Sequence, residues 1–154
     1  MNSNIKIILA ADHAGFGLKE KIKLFLEKKD YEVLDVGAHE LIPEDDYPAY
    51  MTEAAMKVAQ DMNGNTKAVI FGGSGQGEAM VANRFPGVRA AIYYGGNEEI
   101  LKLSREHNDA NVLSIGARFV DEDSAKKAIG IWLETPFNDE EKHRRRIEQI
   151  DNIE

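Results

Sequence analysis

Val69-Ile70-Phe71-Gly72-Gly73-Ser74-Gly75-Gln76-Gly77-Glu78-Ala79-Met80 is an apolar run that breaks into four glycines, with one hydroxyl and one carboxylate among them. The pattern predicts a buried strand, a tight turn and the start of a helix. Glycine lets a backbone turn sharply and approach a ligand with no Cβ in the way, and the first amides of a helix have no partners inside it. Negative charge is favoured there, so Glu78 at the end of such a loop is placed to move a proton beside a stabilised anion. Tight packing alone also explains glycines between a strand and a helix, and the loop by itself leaves the two readings level. Two other glycine loops do not fit. A P-loop needs Gly-Lys-Ser/Thr after its spacer, which is missing here. A dinucleotide fingerprint needs a third glycine two residues beyond Gly77 and an acidic end to the next strand. Instead Glu78 and Ala79 follow Gly77, and the next apolar run closes on Tyr93-Tyr94-Gly95.

Outward from this loop, strand-like and helix-like segments alternate. Ile5 to Ala11 reads as a buried strand, and Gly15 to Lys29 as a helix with Leu18, Ile22, Phe25 and Leu26 on one face. Tyr31 to Val36 follows as a strand and Pro48 to Met62 as a helix whose first position suits proline. After the strand Lys67 to Phe71 come a helix from Gly77 to Arg84, a strand from Val88 to Tyr94 and a helix from Asn97 to Asp109, capped by Asn97. Val112 to Ile115 is the last strand, followed by helices over Ser124 to Leu133 and Asn138 to Ile150. This order predicts an α/β fold: a three-layer αβα sandwich around a Rossmann-like, five-stranded parallel sheet. Trp132, Ile129 and Leu133 read as core or dimer packing, and Met51, Met56 and Met80 as gap-fillers.

The 154 residues suit one domain, 1–154, able to bury roughly 70% of its unfolded surface without a metal or disulfide. The chain has no cysteine, so thiolate catalysis is excluded, and a reducing compartment is compatible. Met1-Asn2-Ser3-Asn4 carries neither a basic segment nor a signal-length apolar stretch, which reads as cytoplasmic. A formal net charge of −8 opposes nucleic acid and anionic membranes as partners. The acidic run Glu44-Asp45-Asp46 lacks histidines at ligand spacing and reads as a solvated loop, not as a metal site.

Ligands of such sheets bind where strands end. The first strand ends in Asp12-His13-Ala14-Gly15, the third in the glycine loop and the fifth in Gly116-Ala117-Arg118. Ser104-Arg105-Glu106-His107-Asn108-Asp109 places a histidine at a helix C-terminus beside a carboxylate, both of which favour imidazolium. In the last helix, Asn138 and Glu141 have capping-box spacing, and Glu140/Arg144 and Glu141/Arg145 are charge pairs four residues apart. Lys142 and Arg146, four positions apart, are read as unpaired cations on one face, an arrangement that suits a compact dianion such as phosphate. Following the Pro136 break, this helix is free to lie across a partner subunit.

These residues together resemble ribose-5-phosphate isomerase type B. The match runs through Asp12-His13-Ala14-Gly15 with Leu18-Lys19, Asp46-Tyr47-Pro48, Gly72 to Glu78 with Ala82-Asn83, Ser104 to Asp109, Gly116-Ala117-Arg118 and His143 to Ile147. The family includes galactose-6-phosphate isomerase subunits. Many members carry a cysteine base where this chain has Gly72. A branch with Gly-Gly-Ser-Gly-x-Gly-Glu uses the glutamate instead, so Gly72 and Glu78 form a consistent pair.

The resemblance implies metal-independent, cofactor-free interconversion of ribose 5-phosphate and ribulose 5-phosphate through an enediolate, with Glu78 as base. It implies that His107 opens the sugar ring with help from Asp12, and that Ser74 and the amides of Gly73, Gly75, Gln76 and Gly77 surround the enediolate oxygen. Asp12, His13 and Asn108 would touch the sugar. Arg118, Lys142 and Arg146 would hold phosphate, the last two reaching over from the partner of a homodimer or dimer of dimers with shared active sites, through a C-terminal segment spanning 138–154. His107 and Arg146 of one pocket would then belong to different subunits. Lys142 stands where arginine is usual, a point charge in place of a bidentate fork. The nearest alternative is the same chemistry on allose or galactose 6-phosphate. A non-catalytic sugar-phosphate binder is a further one, against which Glu78, His107 and Ser74 together argue.

Overall fold

The computed structural model describes residues 4–154, so the leader-free reading of Met1 to Ser3 lies outside the described residues. The elements run β1 (Lys6–Ala11), α1 (Phe16–Lys28), β2 (Glu32–Asp35), α2 (Tyr47–Gln60), β3 (Thr66–Gly72), α3 (Gln76–Ala82), β4 (Ala90–Tyr93), α4 (Glu99–Glu106), β5 (Val112–Gly116), α5 (Glu122–Glu134) and α6 (Glu141–Asp151). The five strands are all parallel, in the order β2-β1-β3-β5-β4.

Side chains alternate across a strand, and this sheet buries both faces. Ile7, Leu9, Val69, Phe71, Leu113 and Ile115 pack with Ile22 and Leu26 of α1, Leu101 of α4 and Ile129 and Trp132 of α5. Ile8, Ala10, Ile70 and Val112 point the other way, onto Met51, Ala54 and Val58 of α2 and Ala82 of α3. The result is the expected αβα sandwich. Trp132 is fully buried, which settles it as core. Met51 is buried too, but Met56 and Met80 are 41% and 67% exposed and fill no gap. No helix among the described residues is long and apolar enough to cross a membrane.

At three of the element ends that differ from the sequence reading, a side chain or a backbone angle intervenes. The helix expected to reach Asp109 stops at Glu106, and Asp109 takes a left-handed φ of 45° that a helix cannot continue. Asn97 does serve its start, accepting from the Glu99 amide at 2.9 Å. The last helix begins at Glu141, not Asn138, because Asp139 has φ 56°. Asn138 therefore accepts from Glu140 N–H at 3.2 Å, and the capping box does not form. The fourth strand starts at Ala90 because the Arg89 amide is taken by the Asn111 side chain at 2.8 Å.

A charged residue is sunk in α1. Lys19 is fully buried, with Nζ 2.6 and 2.7 Å from the Asp35 carboxylate and 2.7 Å from the Ala38 carbonyl. Burial pushes the Asp35 carboxyl up, but bonds from Lys19 and Gly37 N–H, with the Lys19 and Lys23 charges, outweigh it and hold Asp35 below the usual carboxylate range. The pair ties α1 to the end of β2, from which the chain sets out towards the site.

Candidate active site

The strand order reverses direction between β1 and β3: β1 is followed outward by β2, whereas β3 lies on its other side. The loops leaving two such strands diverge and open a crevice at their carboxyl ends. There a cavity of about 530 Å³ is lined by Asp12 and His13 after β1, Asp45 and Tyr47 before and at the start of α2, Gly73, Ser74, Gly77 and Glu78 after β3, and Arg118 after β5.

Glu78 sits in the first turn of α3 and is only 4% exposed. Its position depends on Gly72. A Cβ there would land inside the Glu78 carboxyl group, so the side chain occupies the space that glycine leaves. Burial first, and the charge of Asp12 second, push the Glu78 carboxyl above the usual range, against bonds from its own amide and that of Gly75. A carboxyl so placed changes protonation nearer neutrality, as a proton carrier needs. The loop amides are partly spoken for: besides Gly75, Gln76 N–H donates to Ser74 Oγ at 3.3 Å. Gly75 itself turns with φ 79°, the left-handed conformation that suits glycine. Ser74 and Arg118 are exposed, and the Arg118 guanidinium lies beside Gly73.

Asp12 is buried and accepts from the amides of Ala14 at 3.0 Å and Gly15 at 3.2 Å, so it shapes the turn into α1 while lining the cavity. Asp45 corrects the sequence reading. Its side chain is 8% exposed, not solvated, and Oδ1 accepts from the His13 amide at 2.8 Å and lies 2.9 Å from His13 Nδ1. Tyr50 OH donates to Oδ2 at 3.0 Å. Asp12, His13 and Asp45 bring ligand-type atoms within 4.8 Å of one another, but these hydrogen bonds already account for the cluster. Asp45, Tyr47 and Tyr50 are the site residues the sequence did not single out for chemistry. For Asp45 the signal was an acidic run ahead of a helix, which ordinarily means a cap, while Tyr47 stood in the Asp46-Tyr47-Pro48 stretch without a role.

His107, Asn108, Lys142 and Arg146 do not line this cavity. The His107 ring stacks on His143 of α6, centroids 4.2 Å apart and planes 13° from parallel. Asp109 does not serve His107: it is bound by Arg105 at 2.7 Å, with Arg89 at 3.7 Å. His143 is the single buried residue of α6. Burial, then the facing His107, hold its imidazole below the ordinary value, with Glu140 opposing and Lys142 and Arg146 adding to the effect. Arg89 grips Asp151 at 2.9 Å, fastening the far end of α6, and Asn108 lines a separate cavity of about 330 Å³ with Asn83, Arg89 and Ile150. Lys142 is not unpaired, since Glu140, two residues earlier, lies 3.7 Å away. Arg144 pairs with Asp139 at 3.3 Å in place of the expected Glu140, while Arg145 and Glu141 pair at 2.6 Å as read. The candidate residues thus fall into two groups, one around Glu78 and one around His107 and α6. His107 packs on the helix that carries Arg146, in the group that lies apart from Glu78.

A buried carboxylate at a glycine loop, facing a polar cavity at the switch point of a parallel sheet, places the chain in the class of α/β folds that hold a ligand where their strands end. The comparisons narrow this. Residues 7–150 match the family model described as Ribose/Galactose Isomerase, and the chain belongs to that family. Ribose-5-phosphate isomerase B of Mycolicibacterium paratuberculosis is 35% identical over 150 residues, covering 97% of this chain and 92% of the relative. The Escherichia coli enzyme of that name is also 35% identical over 150 residues, covering 97% and 96%. Among solved structures, ribose-5-phosphate isomerase B from Mycoplasma genitalium with bound ribulose 5-phosphate superposes with a TM-score of 0.89 at 33% identity, covering 96% of this chain and 94% of that one.

Proposed function

We propose that this chain interconverts ribose 5-phosphate and ribulose 5-phosphate, with Glu78 as the base. The observation that carries the reading is the Glu78 carboxyl itself: buried, raised in proton affinity and seated over Gly72 in a cavity of sugar-phosphate size. In this reading Glu78 takes the proton from C2 of the open-chain aldose and returns it to C1, while the hydroxyl proton passes from O2 to O1. Ser74 and the loop amides not already engaged stabilise the enediolate oxygen, each such donor contributing about 3 kcal/mol in a dry site. Asp12 and His13 hold sugar hydroxyls and Arg118 meets the phosphate. The residues supply acid, base and charge, and no metal or cofactor is required by the chemistry. Cysteine-free composition suits a cytoplasmic enzyme. The test is a panel of five- and six-carbon sugar phosphates assayed for aldose–ketose conversion after chelator treatment. Ribose 5-phosphate is expected to turn over fastest. Faster turnover of allose or galactose 6-phosphate would transfer the reading to those sugars.

The second group completes the site from a neighbouring copy. Residues 1–154 act as one unit, and α6, whose one buried residue is His143 and which is fastened at both ends, presents His107, Asn108, Lys142 and Arg146 together to a partner's Glu78 cavity. His107 then opens the furanose ring while Lys142 and Arg146 join Arg118 on the phosphate. Mixing inactive Glu78→Gln and His107→Ala proteins is expected to recover about a quarter of wild-type activity, because half the exchanged dimers are mixed and each has one intact site of two. Mixing His107→Ala with Arg146→Ala should recover none, since one subunit supplies both. Recovery in the second mixture and none in the first, after confirmed subunit exchange, would overturn the arrangement.

A further inference from the structure

We propose that Asp45 is a positioning residue: with Tyr50 it clamps the His13 imidazole so that Nδ1 is committed to a carboxylate and Nε2 is presented to the cavity as a fixed donor for the anionic ligand. The inference rests on the reading of this cavity as a sugar-phosphate site and adds a residue to it.

The geometry is a closed circuit. Asp45 stands 32 residues from His13, yet one of its oxygens accepts from the His13 backbone amide at 2.8 Å and lies 2.9 Å from the same residue's ring nitrogen. The other oxygen takes the Tyr50 hydroxyl at 3.0 Å, from the first turns of α2. Three donors, two of them from His13, already engage the carboxylate, so Asp45 acts through His13. A carboxylate on Nδ1 fixes the tautomer and the ring plane and favours the imidazolium, and in that state Nε2 carries a proton and donates. His13 and Arg118 line the same cavity, so two cationic groups converge on space that an anion would fill.

The charges facing His13 agree. Asp45 by hydrogen bonding, and Asp12 and Asp45 by charge, push its imidazole above the ordinary value, against burial and Arg118. The sign follows: the cation persists to higher pH than in a free histidine, and ligand affinity falls as pH rises through the elevated value. An ordinary histidine near 6.5 would already be mostly neutral at pH 7.5.

Asp45→Asn isolates the charge, because the amide oxygen can still accept from the His13 backbone and keep the loop in place. In the full-length protein we expect the His13 ring to titrate lower by NMR, assigned against His13→Gln. Inorganic phosphate should bind more weakly, and KM for ribose 5-phosphate should rise severalfold at pH 7.5 with kcat little changed. Tyr50→Phe should move all three in the same direction by less. In a His13→Gln background Asp45→Asn should add almost nothing. The proposal is overturned if His13 titrates as in wild type, or if Asp45→Asn keeps its full effect without His13, which would mark a merely structural loop contact. Should ribose 5-phosphate prove not to be a substrate, the functional reading fails, while the His13 titration and phosphate binding still decide the role of Asp45.

Discussion

Replacing Glu78 by Gln lowers turnover by about a hundredfold or more while phosphate ligands still bind, which corresponds to roughly 2.7 kcal/mol lost from the transition state only. Glutamine keeps the shape of the side chain and its seat over Gly72, but it cannot accept the C2 proton. The pH profile gives a second reading of the same residue. Burial and Asp12 raise the Glu78 carboxyl, and the base is active only when ionised, so turnover climbs as pH rises through a value above that of an ordinary glutamate. That acidic limb should vanish in whatever activity Glu78→Gln retains. Turnover within a few-fold of wild type, or an unchanged limb, would show that another group moves the proton.

Gly72→Ala is expected to cost a similar factor of about a hundred in turnover with little loss of stability. The added methyl would occupy the place of the Glu78 carboxyl, and what must move is the far end of a flexible side chain, not backbone. The fold therefore survives with its base displaced. In the double variant Gly72→Ala/Glu78→Gln the two losses should not add, because each removes the same function. Additive losses would show that Gly72 matters for another reason, such as the approach of the substrate to the backbone. Steady-state rates with a thermal melt of each variant separate the outcomes. The same geometry explains why glycine at 72 and glutamate at 78 occur together in this chain: a side chain at 72 and a carboxylate over it cannot share one volume.

Local chemistry was legible from residue order. Unbroken apolar runs such as Val69 to Phe71 identify strands buried on both faces, and helical spacing at Ile22, Leu26 and Trp132 identifies the faces that cover them. Gly72 to Glu78 declares a turn into a helix start that carries a carboxylate, because both depend on residue type over a few positions. Helix ends were less legible. Asp109 and Asp139 terminate elements through left-handed backbone angles that aspartate tolerates but does not announce.

Residue identity and spacing by themselves determined the parallel αβα architecture, through the alternation of segments, and the glycine loop and strand ends that line the cavity, through patterns within one segment. Only the tertiary structure decided that Asp45 closes onto His13 across 32 residues, that Lys19 is buried against Asp35, and that His107 joins α6 and stands apart from Glu78. The reason is that a parallel sheet returns each strand by a crossover, so which loops meet is set by strand order. That order, β2-β1-β3-β5-β4, comes from the packing of whole layers and is written in no single stretch of chain.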